Sequence, residues 1–354
     1  MDLGIFLPSA TGGFAMTTAV PTRPPTWELS LDVTKRAEQL GFAFALSMVK
    51  HRGFGGEMGF WNEALDSFTL MAGLARETER ITLIPSVPVL AIHPALTARQ
   101  AVTVDQLAEG RFALNIVTGW YRSEYAQWSM WPGDQHYSRR YDYATEYVTI
   151  LQELWETGRS SFKGEYFTLD DAQCLPLPPR RIPIVCAGRS ERGMRFTAEL
   201  GDYNFVVGSP EQLPEMKQRL DAEAAASGRD VRTLALFMIV AAETEEAARR
   251  RYRELLARAD TAAIATMRRD MSMDAAGGAA ASALEVEKSL FMGQTPLIGS
   301  YERIAEQLCA LRDENLMAGC MLAFPDYVDD LQAFGERVVP LLGEPAPGAT
   351  APSA

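Results

Sequence analysis

The sequence predicts an α/β fold, a (β/α)8 TIM barrel with insertions at the mouth, and three observations support this prediction. Short apolar runs alternate with longer segments of helical periodicity, which is typical of parallel βα units. Eight such repeats occur without a ninth, which favours a closed barrel over an open doubly wound sheet. The 354 residues, 47% of them hydrophobic and 23% charged, suffice for one barrel with additions.

Each predicted strand is a short apolar run that precedes a segment of helical periodicity. The strands are predicted over residues 3–8, 42–47, 81–85, 112–117, 184–187, 204–207, 234–240 and 320–324. The helices between them are predicted over residues 29–40, 65–79, 95–108, 139–156, 191–200, 210–226 and 245–259. Two more helices, over residues 301–312 and 329–342, close the fold.

We expect residues 1–342 to form a single domain with two insertions. The first, at about 158–181, is interpreted as an irregular excursion with a small hairpin. The second, at about 271–296, contains Ala275-Ala276-Gly277-Gly278-Ala279 and is interpreted as a mobile loop near the mouth, a candidate lid. The tail over 343–354, rich in proline and alanine, is predicted to be disordered.

The composition argues against several classes of partner. A formal net charge of -12 and a pI near 4.9 are unfavourable for binding nucleic acid or an anionic membrane surface, since both require a basic face. No apolar stretch is long enough to span a bilayer, and the first residues lack the features of an export signal. Four cysteines without a Cys-x-x-Cys pair indicate neither a disulfide framework nor a zinc site. We therefore expect a cytoplasmic protein without a bound metal.

Functional residues of such a barrel are expected where the strands end and in the loops that follow. After the second strand comes Lys50-His51-Arg52-Gly53-Phe54-Gly55-Gly56, a glycine-bearing loop that begins with a cation. Such a loop suits closure over an anionic or electron-rich ligand. A solvated surface loop is the alternative interpretation.

The fourth strand ends in Asn115-Ile116-Val117-Thr118-Gly119-Trp120. Asn115 interrupts an apolar run and points toward the barrel interior or mouth, where its amide needs hydrogen-bond partners. Those partners are either backbone groups or the amide and ring nitrogens of a ligand. Trp120 could equally be packing or a stacking platform for a planar ring.

The fifth strand leads through Ala187-Gly188-Arg189-Ser190 into a helix. Such a turn offers unpaired N–H groups, including those near Gly188, and a hydroxyl, and it suits a phosphate. Alternatively, Ser190 is only a helix N-cap. Arg140, in the basic start of another helix, could add a bidentate phosphate contact or form a surface ion pair.

Residues suited to other chemistries are scarce. His51, His93 and His136 are isolated from carboxylates at ligand spacing, and no serine elbow is present. Because few acid or base groups fall at the predicted strand ends, a cofactor is expected to carry the chemistry.

Several longer stretches resemble a known family. They are Phe44-Ala45-Leu46-Ser47-Met48-Val49-Lys50, Arg52-Gly53-Phe54-Gly55-Gly56, Ser67-Phe68-Thr69-Leu70-Met71-Ala72-Gly73-Leu74, Val117-Thr118-Gly119-Trp120, Trp131-Pro132-Gly133-Asp134, Ser138-Arg139-Arg140-Tyr141-Asp142-Tyr143, Cys186-Ala187-Gly188 and Phe334-Gly335-Glu336-Arg337. Through them the chain resembles the bacterial-luciferase-like flavin monooxygenases, and within that family the pyrimidine oxygenases that open uracil. The resemblance covers residues 1 to about 208 and resumes in the last third of the chain.

The resemblance implies that FMN lies across the barrel mouth. The residues implied to touch FMN are Val49, Lys50, Asn115, Glu124, Arg140, Tyr141 and Ser190. The residues implied to border the substrate ring are Leu46, Met48, Lys50 and Trp120. Asn115 and Ser86 are implied to line the oxygen pocket as catalytic residues, and Ser86 stands where the pyrimidine oxygenases carry threonine.

The resemblance also implies the reaction. A separate NAD(P)H:flavin reductase would supply reduced FMN, which reacts with O2 to give a flavin peroxide that oxidises a planar N-heterocycle with C–N bond cleavage. The alternatives are the same chemistry on a larger heterocycle such as a flavin, or on a sulfone or sulfonate. A deazaflavin-dependent oxidoreductase and a non-catalytic flavin-binding barrel are more remote. The expected partners are a small-molecule substrate, a transiently bound reductase and further copies of the chain in a homo-oligomer.

Overall fold

The computed structural model describes residues 1–274 and 286–343, and within them eight parallel strands form a closed barrel. The strands are Asp2–Phe6, Phe44–Ser47, Thr82–Pro88, Leu114–Val117, Ile184–Ala187, Tyr203–Val207, Arg232–Ala242 and Gly319–Ala323. Each strand pairs with the next in the chain, and the eighth pairs with the first, with Cys320 opposite Leu3. The predicted (β/α)8 barrel is confirmed.

A ninth parallel strand, Thr295–Ser300, corrects the count of eight repeats. It pairs with the second half of the seventh barrel strand, with Thr295 opposite Phe237 and Ser300 opposite Ala242. The seventh strand has eleven residues and extends beyond its barrel neighbours, so that its far half is available to this additional partner. The ninth strand therefore lies beside the barrel and is not one of the eight barrel strands.

Several helices begin where a side chain can satisfy an exposed backbone N–H group. Thr26, Asp66, Ser190, Thr244 and Ser300 each accept a hydrogen bond from the backbone N–H three residues later. The predicted helices correspond to Trp27–Gln39, Ser67–Glu77, Pro94–Leu107, His136–Thr157, Glu191–Leu200, Leu213–Ala226, Glu245–Ala257, Tyr301–Asp313 and Asp329–Arg337, with short 3-10 turns at Pro210–Gln212 and Val339–Leu341. Three helices were not predicted: Arg122–Ala126, Thr261–Asp274 and Val286–Ser289.

The two insertions differ in outcome. The first contains the expected hairpin, in which Arg159–Ser160 pairs antiparallel with Ala172–Gln173. The second is not a single loop, because helix Thr261–Asp274 continues into it, and the short helix Val286–Ser289 precedes the ninth strand. The prediction of a lid concerns mainly residues 275–285, and the prediction of a disordered tail concerns mainly residues 344–354. Both ranges lie outside the described residues.

The second strand brings Phe44 into the buried core. The first and eighth strands accommodate its ring through glycines. A Cβ atom at Gly4 would lie 2.1 Å from the Phe44 ring, and one at Gly319 would lie 2.9 Å from it. Buried side chains from all eight strands belong to one hydrophobic cluster. The single domain over 1–342 stays a prediction. None of the helices in the described ranges is long and apolar enough to cross a bilayer.

Candidate active site

A cavity of about 390 Å³ opens at the carboxyl-terminal ends of the barrel strands. Its size is typical of a pocket for a cofactor or small molecule. The predicted residues that line it are Met48, Val49, Lys50, Ser86, Asn115, Trp120, Arg140, Tyr141 and Gly188. Three predicted residues do not line it: Leu46, which is fully buried, Glu124, which lies behind Lys50, and Ser190.

Asn115 faces the cavity from the fourth strand, as the apolar run around it predicted. It lies opposite Ser86 of the third strand, and its Nδ2 donates a hydrogen bond of 2.8 Å to the Ser86 hydroxyl. The Asn115 side chain is buried, and its Oδ1 has no partner among the described residues. A buried carbonyl oxygen without a partner is costly, so a ligand that donates to it from the cavity would lower this cost.

A chain of hydroxyl groups fixes the orientation of the Asn115 amide. The Ser86 hydroxyl donates to the backbone carbonyl of Ser47 over 2.7 Å. Because its only hydrogen is used there, it can only accept from Asn115, so the amide nitrogen must face Ser86. Ser67, the first residue of its helix, accepts from the Ser86 N–H over 2.8 Å and lies 2.5 Å from the Ser47 hydroxyl. Sequence patterns did not single out Ser47 or Ser67.

Lys50 lies in a buried environment that we call the charged corner, made of Lys50, Glu124, Phe54, Trp61, Trp120 and Tyr121. The Lys50 ammonium lies 3.3 Å from a Glu124 carboxylate oxygen, and the two side chains are 3% and 4% exposed. Its Nζ lies 4.9 to 5.7 Å from the centroids of the four aromatic rings. Such contacts are favourable for a desolvated cation. Lys50 is therefore not solvated, whereas Arg52 and Gly56 farther along the same loop are exposed.

Glu124 and Tyr121 connect the charged corner to the rest of the protein. Glu124 Oε1, which also lies 3.3 Å from the Lys50 ammonium, accepts from the backbone N–H of His51 over 2.6 Å. The Tyr121 hydroxyl donates to Asp270 over 2.7 Å, and Asp270 lies on the unpredicted helix Thr261–Asp274. Burial, followed by this hydrogen bond, raises the pKa of Tyr121.

Two histidines near the cavity are shifted toward the neutral form. Burial is the largest cause of the lowered pKa of His51, and neighbouring Glu124 opposes it. Burial also lowers the pKa of His136, although its Nε2 lies 3.3 and 3.1 Å from the carbonyl oxygens of Thr118 and Gly119. Among the described residues no group of histidines, cysteines or carboxylates is arranged to hold a metal ion.

The turn after the fifth strand packs tightly against the helix that it begins. A Cβ atom at Gly188 would lie 2.6 Å from the backbone of Gly193, so only glycine allows this approach. Ser190 accepts from the Gly193 N–H over 3.2 Å and acts as the helix N-cap. The turn thus presents the amino-terminal end of helix Glu191–Leu200 near the cavity, a suitable position for an anion.

Two adjacent arginines at the rim differ in their partners. The Arg139 guanidinium pairs with Glu165 and lies 3.8 Å from Asp142. Arg140 instead lines the cavity, stacks 4.6 Å from the Tyr141 ring and donates to the backbone carbonyl of Tyr137. Within the described ranges neither Arg140 nor Arg189, which also lines the cavity, pairs with a carboxylate. The surface ion pair considered for Arg140 is therefore formed by Arg139.

Sequence reasoning missed several residues of the cavity wall. They are Phe14, Trp61, Phe205, Leu236, Met292 and Gln294. Met292 and Gln294 lie in the second insertion, where glycine-rich composition gave no sign of a fixed wall. One signal could have indicated the place of Gln294 in the wall. It is a polar residue that directly precedes the run of the ninth strand.

The sequence matches the luciferase-like monooxygenase family over residues 1–316. Pyrimidine monooxygenase RutA of Caulobacter vibrioides strain NA1000 is 41% identical over 349 residues, which are 97% of this chain and 98% of the relative. Pyrimidine monooxygenase RutA of Bradyrhizobium sp. strain BTAi1 is 45% identical over 350 residues, with 97% of each chain covered.

Solved structures share the fold at lower identity. A riboflavin lyase crystallised with modified FMN and riboflavin has a TM-score of 0.82 and 21% identity, over 97% of this chain and 91% of that one. The protein DmoA from Hyphomicrobium sulfonivorans has a TM-score of 0.79 and 20% identity, over 97% and 88%. At these identities the likeness concerns the barrel alone.

Proposed function

Because the chain belongs to the luciferase-like monooxygenase family and is a flavin-dependent monooxygenase, we propose that it uses reduced FMN and O2 to open a planar N-heterocycle of the pyrimidine class. The ring opens by cleavage of an amide-like C–N bond. The relatives named pyrimidine monooxygenases, at 41% and 45% identity over nearly the whole chain, support this substrate class. The observation that carries the proposal is the fixed, unpartnered carboxamide of Asn115 in the wall of an otherwise mainly apolar cavity.

The residues present fit a flavin mononucleotide. For its phosphate, the cavity rim offers Arg140, Arg189 and the turn at Gly188, none of them neutralised by a carboxylate within the described ranges. Ser190, although it caps the helix, stands at the same turn. Tyr141 and Val49 line the space between the rim and the barrel axis. When bound, reduced FMN supplies the electrons that activate O2, and a separate NAD(P)H:flavin reductase would provide it.

The charged corner is proposed to orient the substrate. Lys50 and Trp120 would border the ring together with Met48, while Leu46 acts from beneath, because it is buried behind the cavity wall. Glu124 holds the Lys50 ammonium at 3.3 Å and thereby fixes where its remaining N–H groups point. The aromatic rings exclude water from this part of the site, which strengthens hydrogen bonds to an oxygen that gains charge.

Asn115 and Ser86 are proposed to line the pocket for oxygen. The hydroxyl network leaves one Nδ2 hydrogen of Asn115 for a ligand and leaves Oδ1 as an acceptor. The amide therefore contacts either the ring nitrogens or the reacting oxygen without reorganising, since Ser86 holds it in place. Prealigned dipoles of this kind contribute to catalysis because they need no rearrangement during the reaction.

A reconstituted assay tests the proposal. The chain is combined with FMN, a flavin reductase, NADH and O2, and uracil, riboflavin and methanesulfonate are compared by oxygen consumption and product analysis. We expect uracil-dependent oxygen use with one ring-opened product per O2, reduced about 100-fold by Asn115→Ala, as for loss of one oriented donor. Turnover of riboflavin or methanesulfonate alone would overturn the pyrimidine assignment. Bound FMN without substrate-dependent oxygen use would identify a non-catalytic flavin-binding barrel.

A further inference from the structure

We propose that Gln294 recognises the amide edge of the substrate, an N–H beside a C=O, and so determines which rings the cavity accepts. The proposal rests on the proposed function, because it names a specificity residue for the same cavity. It concerns a residue outside the stretches that carry the family resemblance, in the segment that directly precedes the ninth strand.

The first support is the burial of an unpaired polar group. Gln294 lines the cavity, is 5% exposed, and its Oε1 has no hydrogen-bond partner among the described residues. Leaving a buried acceptor unpaired costs about 1–3 kcal/mol. A leucine or methionine at this position would avoid that cost, so the glutamine indicates that a ligand pairs with it.

The backbone holds Gln294 in a defined place. Met292 and Gly293 adopt left-handed conformations, with φ of 56° and 80°, and the Gln294 N–H donates to the Phe291 carbonyl over 3.0 Å. One residue later the chain enters the ninth strand, where Thr295 lies opposite Phe237. Both ends of this short turn are therefore fixed, which restricts where the glutamine side chain can reach, and its terminal torsion is soft enough to adjust to a ligand.

The chemistry of the cavity favours a neutral amide over an anion at this subsite. A carboxamide has an acceptor oxygen and two N–H donors, which complement the C=O and N–H of a lactam or imide. Lys50 is already neutralised by Glu124, so among the described residues the cations without a carboxylate partner, Arg140 and Arg189, lie at the rim and not in the buried part of the cavity. Asn115, whose Oδ1 is also unpaired, gives the same cavity a second carboxamide from the fourth strand.

Binding and turnover of uracil test the inference. The FMN-loaded enzyme is compared with Gln294→Met, which keeps the length without hydrogen bonding, and with Gln307→Met, the same substitution on helix Tyr301–Asp313, outside the cavity. We expect Gln294→Met to raise the dissociation constant and KM for uracil at least tenfold, with kcat changed less than twofold. Gln307→Met should change these constants less than twofold, and FMN affinity should be the same in all three proteins.

The remaining outcomes separate this inference from the proposed function. Equal uracil affinity in Gln294→Met and the unsubstituted protein would overturn the inference. Absence of uracil binding to the unsubstituted protein would also overturn it, whatever other substrate the oxygen assay reveals. Uracil binding that depends on Gln294 without any turnover would support the inference and overturn the proposed function. If Gln294→Met fails to fold, Gln294→Glu, which keeps the side-chain size and polarity, should still weaken uracil binding at least tenfold because its carboxylate repels a ring carbonyl.

Discussion

The charged corner adjoins the cavity that the carboxamide pair, Asn115 and Gln294, lines. The two groups differ in how their polar atoms are satisfied. In the corner, Lys50 and Glu124 neutralise each other, and Glu124 also accepts from a backbone N–H. In the pair, each carboxamide retains a buried oxygen without a partner among the described residues. Groups satisfied within the protein contribute to the stability of the native state, whereas unsatisfied ones reduce it unless a ligand pairs with them.

The largest effect expected from this difference is on stability. Glu124→Ala leaves the buried Lys50 ammonium without a counter-ion and should lower the free energy of unfolding by about 3–5 kcal/mol. Urea unfolding of the flavin-free protein measures it. The matched control is Glu165→Ala, which removes the exposed partner of Arg139 and should cost no more than about 1 kcal/mol.

A double variant checks the cause. Lys50→Met combined with Glu124→Leu removes both charges and should recover most of the stability that Glu124→Ala loses, because no unpaired ion remains. A double variant as unstable as Glu124→Ala would mean that packing, rather than the uncompensated charge, explains the loss.

At the rim of the cavity, two neighbouring arginines also differ in whether a carboxylate pairs with them. The expected effect, on FMN affinity, is of intermediate size. Arg139 is paired with Glu165, whereas Arg140 lines the cavity without a carboxylate partner in the described ranges. Arg140→Ala should weaken FMN binding by about ten- to a hundredfold, as for loss of a charge-assisted hydrogen bond, while Arg139→Ala should leave it nearly unchanged. Fluorescence titration measures both.

Riboflavin, which lacks the phosphate, separates a phosphate contact from a general effect on the site. Arg140→Ala should not change the riboflavin dissociation constant. Equal weakening of FMN and riboflavin binding would place the role of Arg140 in packing against Tyr141 and would contradict a phosphate contact.

Features set by residues close together in the sequence could be predicted, whereas contacts between distant residues could not. Apolar runs and helical periodicity predicted the barrel, because each strand is buried by near neighbours in the chain. The ninth strand was missed since Pro296 and Gly299 interrupt a half-exposed run of six residues. The inward position of Asn115 followed from one polar residue in an apolar strand.

Contacts between distant positions could not be predicted. Lys50 and Glu124 are 74 positions apart, and Tyr121 and Asp270 are 149 apart. No local pattern relates such residues, because their pairing depends on how the barrel closes. For the same reason, the absence of a partner for Gln294 among the described residues could be recognised only from the folded structure. The oligomeric state, the cytoplasmic location and the roles of the site residues stay predictions.

The smallest expected effect is on the pH dependence of stability, and it tests whether Glu124 of the charged corner also compensates the charge of His51. Burial lowers the pKa of His51 and of His136 below the value near 6.5 expected in the unfolded chain. The unfolded state therefore binds more protons just below pH 6.5, so stability is retained above this pH and lost as the pH falls toward the folded-state values. The slope is at most about 1.4 kcal/mol per pH unit for each histidine.

Urea unfolding at pH 7.5, 6.5 and 5.5 should show this loss, and His51→Gln and His136→Gln should each reduce it, because glutamine does not titrate in this range. If Glu124 compensates His51 as it does Lys50, His51→Gln will reduce the slope less than His136→Gln. A slope unaffected by either substitution would assign the pH dependence to carboxylates.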